Sequence, residues 1–121
     1  MTDIEAQARA ILDVLVSVPF FECAPISRDF ADLSTKPGLY AVRHRDDGLL
    51  YVGKAQDFKE RFKGGHKALT WSWLEDYNHR DVAIATYALD FIQWRRLSSE
   101  LERIILNISE PPYNARIPMR D

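Results

Sequence analysis

A chain of 121 residues with 46% hydrophobic and 28% charged residues has the length and composition of one soluble globular unit able to bury a core without staples. Its single cysteine, Cys23, excludes an intramolecular disulfide and a cysteine-based zinc site, so a reducing cytoplasm is the expected setting. A net charge of −2 counts against a protein that lives on nucleic acid, because phosphate contacts normally supply most of that affinity.

The opening MTDIEAQARA is acidic, unlike the n-region of a signal peptide. The apolar run from Ile11 to Phe21 is too short to span a bilayer and contains Asp13, so no membrane association is expected. Thr2 and Glu5 have the spacing of a capping box, and Ile4, Ile11, Leu12 and Leu15 come after them at helical intervals. A first helix is therefore expected to about Val16, stopped before Pro19. From Ser17 to Lys36 no period emerges, only the apolar anchors Phe20, Phe21, Ile26, Phe30 and Leu33. Residues 1–34 are read as a helix and an irregular connection, and residues 35–121 as the main domain. Whether the first segment caps the sheet, makes a dimer contact or is an addition is open at this level.

Gly38 to Arg61, GLYAVRHRDDGLLYVGKAQDFKER, is the stretch around which the rest of the chain is organised. Tyr40, Val42 and His44 alternate with Leu39, Ala41 and Arg43, and Leu49 to Val52 resume the period of two. Asp47-Gly48 between them is a hairpin signal, since a primed turn needs positive φ and glycine adopts it without steric cost. With those two residues at the centre of the turn, His44 faces Tyr51, Val42 faces Gly53 and Tyr40 faces Ala55. Opposed residues share a face, so both tyrosines point to one side, with Gly53 leaving room for an approach to the backbone. A four-residue loop keeps this parity; a three-residue loop with a bulge is expected to reverse it.

Asp57 is placed to cap the next helix with Glu60 three residues on, and Phe58 and Phe62 give that helix a buried stripe beside Arg61. Gly64-Gly65 should end it, leaving His66 near its end. Residues Ala68 to Tyr77 read as a short helix whose aromatics Trp71, Trp73 and Tyr77 are expected in the core, base-stacking platforms being the alternative. Val82, Ile84 and Thr86 alternate in a third strand. Asp90 caps a long final helix whose inward arc holds Phe91, Trp94, Leu97, Ser98, Leu101, Ile104, Ile105 and Ile108, with Glu102 at its edge. Pro111-Pro112 ends that helix, and Tyr113-Asn114 folds back as a tail. The fold class is thus α/β (α+β), a small three-stranded antiparallel sheet flanked by helices.

Gly38-Leu39-Tyr40, the hairpin, Tyr51-Val52-Gly53-Lys54, Arg61, Glu102 and Asn114 form an ordered set, the last two separated by 12 residues. This set resembles the signature of the GIY-YIG nuclease family, as in the nuclease domain of bacterial excision-repair endonucleases, with leucine and valine replacing the isoleucines of the name. The resemblance runs from Thr35 to Arg116. It implies a metal-dependent endonuclease that hydrolyses phosphodiester bonds of DNA, RNA being the open alternative substrate. Glu102 would be the sole protein ligand of one Mg²⁺ or Mn²⁺, and either Tyr40 or Tyr51 the proton acceptor, with Tyr40 favoured. His66 resembles a position near the attacking water, and Asn114 the asparagine that braces the site.

Elementary chemistry agrees with these assignments. Phosphodiester hydrolysis needs an activated water, positive charge on the pentacovalent phosphate and help for the leaving oxygen. Arg61 offers a bidentate fork to a phosphoryl oxygen, and Lys54, after Gly53 at a strand end, is placed to lower a tyrosine pKa. Each residue also has a plainer reading: Glu102 as a solvated helix carboxylate paired with Arg95 or Arg103, Arg61 as a partner of Asp57, the tyrosines as core aromatics, Asn114 as a turn residue. Between Arg43 and Lys67 lie seven Lys/Arg against four Asp/Glu, whereas residues 1–35 hold two against six. Gly53, Lys54, Lys59, Arg61, Lys63 and Lys67 are accordingly the expected nucleic-acid contacts. The alternative is a catalytically inactive binding or interaction module on the same fold. With no DNA-reading motif in the sequence, specificity is expected to come from a homodimer or a protein partner.

Overall fold

Helix α1 (Asp3–Ser17) opens with the expected capping box: Thr2 Oγ1 accepts the Glu5 N–H at 3.2 Å and the Glu5 carboxylate accepts from Thr2 in return. The structure, a computed structural model, describes residues 2–116; the last five residues of the expected main domain, 117–121, lie outside them. Ile11 and Leu15 are buried against one face of the sheet, as their spacing requires.

Four strands come next: β1 (Ala24–Pro25), β2 (Gly38–His44), β3 (Gly48–Ala55) and β4 (Val82–Ala88). They form one antiparallel sheet in the order β1-β4-β2-β3. The expected three strands are all present, and the fourth, β1, lies in the connection read as irregular. Two residues cannot display a period, and Pro25 sits where proline is tolerated, on an edge strand.

The remaining helices are α2 (Phe58–Lys63), α3 (Lys67–Leu74), α4 (Phe91–Ser109) and α5 (Pro112–Arg116). The sheet separates two cores. Leu39, Ala41, Val52, Ala83 and Ala85 meet α1 and α4 on one face. Tyr40, Val42, Tyr51 and Ile84 meet Phe58, Phe62, Ala68, Tyr113 and the anchors Phe30 and Leu33 on the other. The small residues of β2 and β4 let the helices approach closely. Gly38 is a further close approach, since a Cβ there would stand 2.1 Å from the Tyr87 carbonyl oxygen of the neighbouring strand and 2.8 Å from the Phe58 ring of α2.

Between β2 and β3 the pairing differs from the expected register. Tyr40 pairs with Gly53, Val42 with Tyr51, and His44 with Gly48, with an irregularity between Val42 and Arg43. A three-residue loop reverses the side-chain parity, and the bulge at Leu50 reverses it again. The outcome is the face-sharing expected of Tyr40 and Tyr51, by a different route. Gly48 takes φ +78°, and His44 Nδ1 accepts the N–H groups of Asp46 and Asp47 at 3.1 Å each, which braces the longer turn.

Asp90 caps α4 with a full box to Gln93, and Leu101, Ile104 and Ile105 are buried as the wheel predicts. The ends of the expected arc are not: Phe91 and Ile108 are exposed, because the sheet reaches only the middle of this long helix. Trp73, expected in the core, is exposed as well.

Candidate active site

Among the described residues strand β3 has β2 on one side and no strand on the other, so its outer N–H and C=O groups need other partners. Two side chains supply them. Asn114, on α5, accepts the Val52 N–H through Oδ1 at 2.9 Å and donates to the Val52 carbonyl through Nδ2 at 2.8 Å. Glu102, on α4, accepts from the backbone N–H of Lys54 two residues further along the same edge. The two residues near the C-terminal end of the described chain therefore meet the hairpin at one strand edge.

On the α2 side of that edge, the rings of Tyr40 and Tyr51 lie 6.1 Å apart and nearly parallel. His66 stands edge-on to both and stacks on Phe62 at 4.7 Å. It lies just past the end of α2, as expected, and begins α3: its Nδ1 accepts the Ala68 N–H at 2.9 Å as the N-cap. The two glycines before it separate the helices, Gly65 at φ +96°. Burial, reinforced by the nearby Arg61 charge, pushes the His66 pKa down to about 3, so the ring is neutral. With Nδ1 accepting, the ring proton must sit on Nε2, which then donates to Tyr40 Oη at 2.6 Å. Arg61 also hydrogen-bonds the Tyr40 hydroxyl.

Both phenols are nevertheless held above the ordinary tyrosine range. Burial is the leading cause for each; the Glu102 charge adds to it, and Arg61 opposes it. The mutual influence of Tyr40, Tyr51, Arg61 and Glu102 shows that these four occupy one electrostatic neighbourhood.

Two expectations about this neighbourhood change. Gly53 leaves no open approach to the backbone: a Cβ there would lie 2.5 Å from Tyr40 Oη and 3.0 Å from Tyr51 Cε1. The space belongs to the tyrosine rings themselves. Lys54 does not reach into the tyrosine pocket, because strand alternation turns its side chain to the α4 face, where Nζ donates to Ser99 Oγ at 2.6 Å and lies 5.6 Å from the Trp94 ring. Arg61 takes the role of opposing charge at the phenols, and Lys54 takes it at Glu102. Trp94 was read only as part of the inward arc and Ser99 was not singled out, although Ser99, three residues before Glu102, shares its helix side.

The basic residues divide similarly. Lys59 and Lys63 stand one turn apart on α2, and exposed Lys67 opens α3. Arg43 is turned away, donating to the carbonyls of Leu15 and Val18 at 3.3 and 2.6 Å, and Arg45 pairs with Asp81 at 3.1 Å. Arg103, the plain-reading partner of Glu102, instead forks onto Glu100.

Glu102 suits a hard divalent cation. It is half-buried, and loss of solvent pushes its carboxyl upward more than Lys54 lowers it. A carboxylate left undercompensated in this way favours an added positive charge. Among the described residues no group of three or more His, Cys, Asp or Glu gathers as a ligand cage. One carboxylate, with waters and phosphate completing the shell, matches the habits of Mg²⁺ and Mn²⁺.

Paired tyrosines, an arginine and a lone carboxylate gathered beside the β3 edge are the kinds of group that phosphodiester hydrolysis calls for. The chain belongs to the GIY-YIG family: residues 36–114 match the profile described as the GIY-YIG catalytic domain. It is similar to UvrABC system protein C of Stenotrophomonas maltophilia, with 32% identity over 111 residues, covering 88% of this chain and 16% of that protein. It is also similar to UvrABC system protein C of Methanothermobacter thermautotrophicus, with 28% identity over 95 residues, covering 74% of this chain and 15% of that protein. The chain thus spans about one sixth of the length of these relatives. Among the described residues no helix is long and apolar enough to cross a membrane.

Proposed function

We propose that this chain is a divalent-cation-dependent endonuclease of DNA whose cation is held by Glu102. The observation that carries the reading is the convergence on Tyr40 Oη of two donors, His66 Nε2 at 2.6 Å and Arg61, within electrostatic reach of Glu102. Two donors aimed at a phenol oxygen stabilise its anion, which is what a tyrosine needs to accept a proton from water. Tyr40 is the general base in this reading, and Tyr51, stacked beside it, orients the water or phosphate. A Mg²⁺ or Mn²⁺ at Glu102 would add positive charge at the phosphate and leaving oxygen. Arg61 binds a phosphoryl oxygen as negative charge accumulates there. Neutral His66 holds the Tyr40 oxygen in place. Lys54 steadies Glu102, and Asn114 fixes the strand edge that carries Lys54.

Lys59, Lys63 and Lys67, with Arg61, offer the phosphate-binding surface on α2 and α3. Gly53 belongs to that surface through the tyrosines it admits. A second copy of the chain or another protein supplies specificity, and the cytoplasm is the working compartment. Residues 1–34 act as an extension of the nuclease domain at 35–121.

Incubating the purified protein with supercoiled plasmid, branched DNA and RNA, each with Mg²⁺, Mn²⁺ or EDTA, tests the reading. Cation-dependent nicking of DNA with weak sequence preference is expected. Cutting that persists in EDTA overturns the cation assignment, and discrete fragments from a long duplex overturn the specificity claim. A folded protein that cuts nothing is the inactive module.

A further inference from the structure

At the end of α3 remote from His66, the Trp73 ring is 72% exposed and lines a groove of about 550 Å³. Ile26, Leu69 and Val82 also line it and give it an apolar floor, while Tyr77 and Arg80 contribute to its wall. Tyr77 is set in advance, its ring packed 4.2 Å from that of His44 and its hydroxyl donating to Asp47 on the hairpin turn. Such a wall costs little ordering when a ligand enters.

One rigid element joins this groove to the catalytic cluster. His66 caps the start of α3 and Trp73 lies in its last turn, so the two residues are about 10.5 Å apart along the helix. That distance corresponds to roughly three base steps of a nucleic acid strand.

We propose that the groove receives one unstacked nucleobase of the substrate, a few nucleotides from the phosphate held near Tyr40. The base stacks on Trp73, the apolar floor receives its edge, and Arg80 meets a neighbouring phosphate. This inference rests on the nuclease reading. Two features select a nucleotide over an apolar peptide: Arg80, lining the same groove as Trp73, complements a phosphate next to a base, and the helix that carries Trp73 is capped by His66 of the catalytic cluster. A base already unpaired enters more readily than a paired one, which couples local strand opening to substrate choice.

The test measures binding in EDTA, where cutting is suppressed, to two probes: a short oligothymidylate and an abasic oligomer of the same length. Trp73→Ala should weaken oligothymidylate binding about tenfold, leave abasic binding unchanged, and be largely rescued by Trp73→Phe. Equal losses on both probes, or wild-type affinity in Trp73→Ala, overturn the groove proposal while leaving the nuclease intact. Failure of the wild-type protein to bind either probe overturns the groove proposal, while cation-dependent nicking of plasmid decides the nuclease reading separately.

Discussion

The side-chain amide of Asn114 occupies the place a further strand would take beside β3, pairing with both the N–H and the C=O of Val52 at 2.9 and 2.8 Å. Glu102 takes the Lys54 N–H at the same edge, so α4 and α5 close the sheet and deliver the lone carboxylate to the hairpin in one arrangement. Edge groups that would otherwise invite pairing with another chain are thereby used to build a site.

Asn114→Ala should cost about 1–3 kcal/mol, because the N–H and C=O of buried Val52 lose their partners. Urea denaturation measures this directly. Asn114→Asp keeps the acceptor for the Val52 N–H but has no donor for the carbonyl, so it should rescue little of the loss. A wild-type midpoint for Asn114→Ala would mean that the edge pairing contributes nothing.

Gly53→Ala places a methyl group 2.5 Å from Tyr40 Oη, on a strand where the backbone cannot give way. Overpacking of this kind costs about 1–3 kcal/mol. Nuclease activity should fall further than stability does, because the atom displaced is the proposed base. The comparison of thermal midpoint with nicking rate checks both parts.

His66 gives stability a definite pH dependence. Its folded pKa is lowered to about 3 from the ordinary histidine value of 6.5, so between these values the unfolded chain binds a proton that the folded chain refuses. The sign is therefore that stability is full above pH 6.5 and is lost as pH falls toward 3, by on the order of a few kcal/mol. His66→Asn keeps an N-cap acceptor for Ala68 and removes the titration. Urea midpoints across that pH range should fall less steeply for the variant; parallel curves would show that the buried ring is not their cause.

Glu102→Gln keeps the size and helix propensity of the side chain while removing its charge. Turnover in Mg²⁺ should fall by orders of magnitude with the fold retained, whereas an ordinary surface carboxylate changes stability by only about 0.5 kcal/mol and activity not at all. Arg61→Ala should lose activity comparably. Of the paired variants Tyr40→Phe and Tyr51→Phe, the first should suffer more. Wild-type nicking by Glu102→Gln would remove the proposed cation site.

Charge reversal at Lys59 and Lys63 should weaken DNA binding and flatten its salt dependence, without unfolding a helix whose core contacts are Phe58 and Phe62. An unchanged slope of affinity against salt concentration would place the nucleic acid on another face.

Local chemistry was legible in the sequence. The capping box at Thr2, the N-cap at Asp90, the buried stripes of α2 and α4, the strand alternation and the ordered set from Gly38 to Asn114 all express interactions between residues a few positions apart, or a pattern that the family shares. Tertiary structure decided the rest. The β2–β3 register depended on a bulge, and strand β1 exists only because β4 offers it an edge. His66 became a cap and a donor to Tyr40 because Gly64 and Gly65 turn one helix into the next, and Lys54 found its partner on α4 because α4 covers the face opposite the tyrosines. The direction in which a side chain points is settled by which neighbour desolvates or hydrogen-bonds it, and those neighbours lie 26 residues away for Tyr40 and His66, 45 for Lys54 and Ser99, and 62 for Val52 and Asn114.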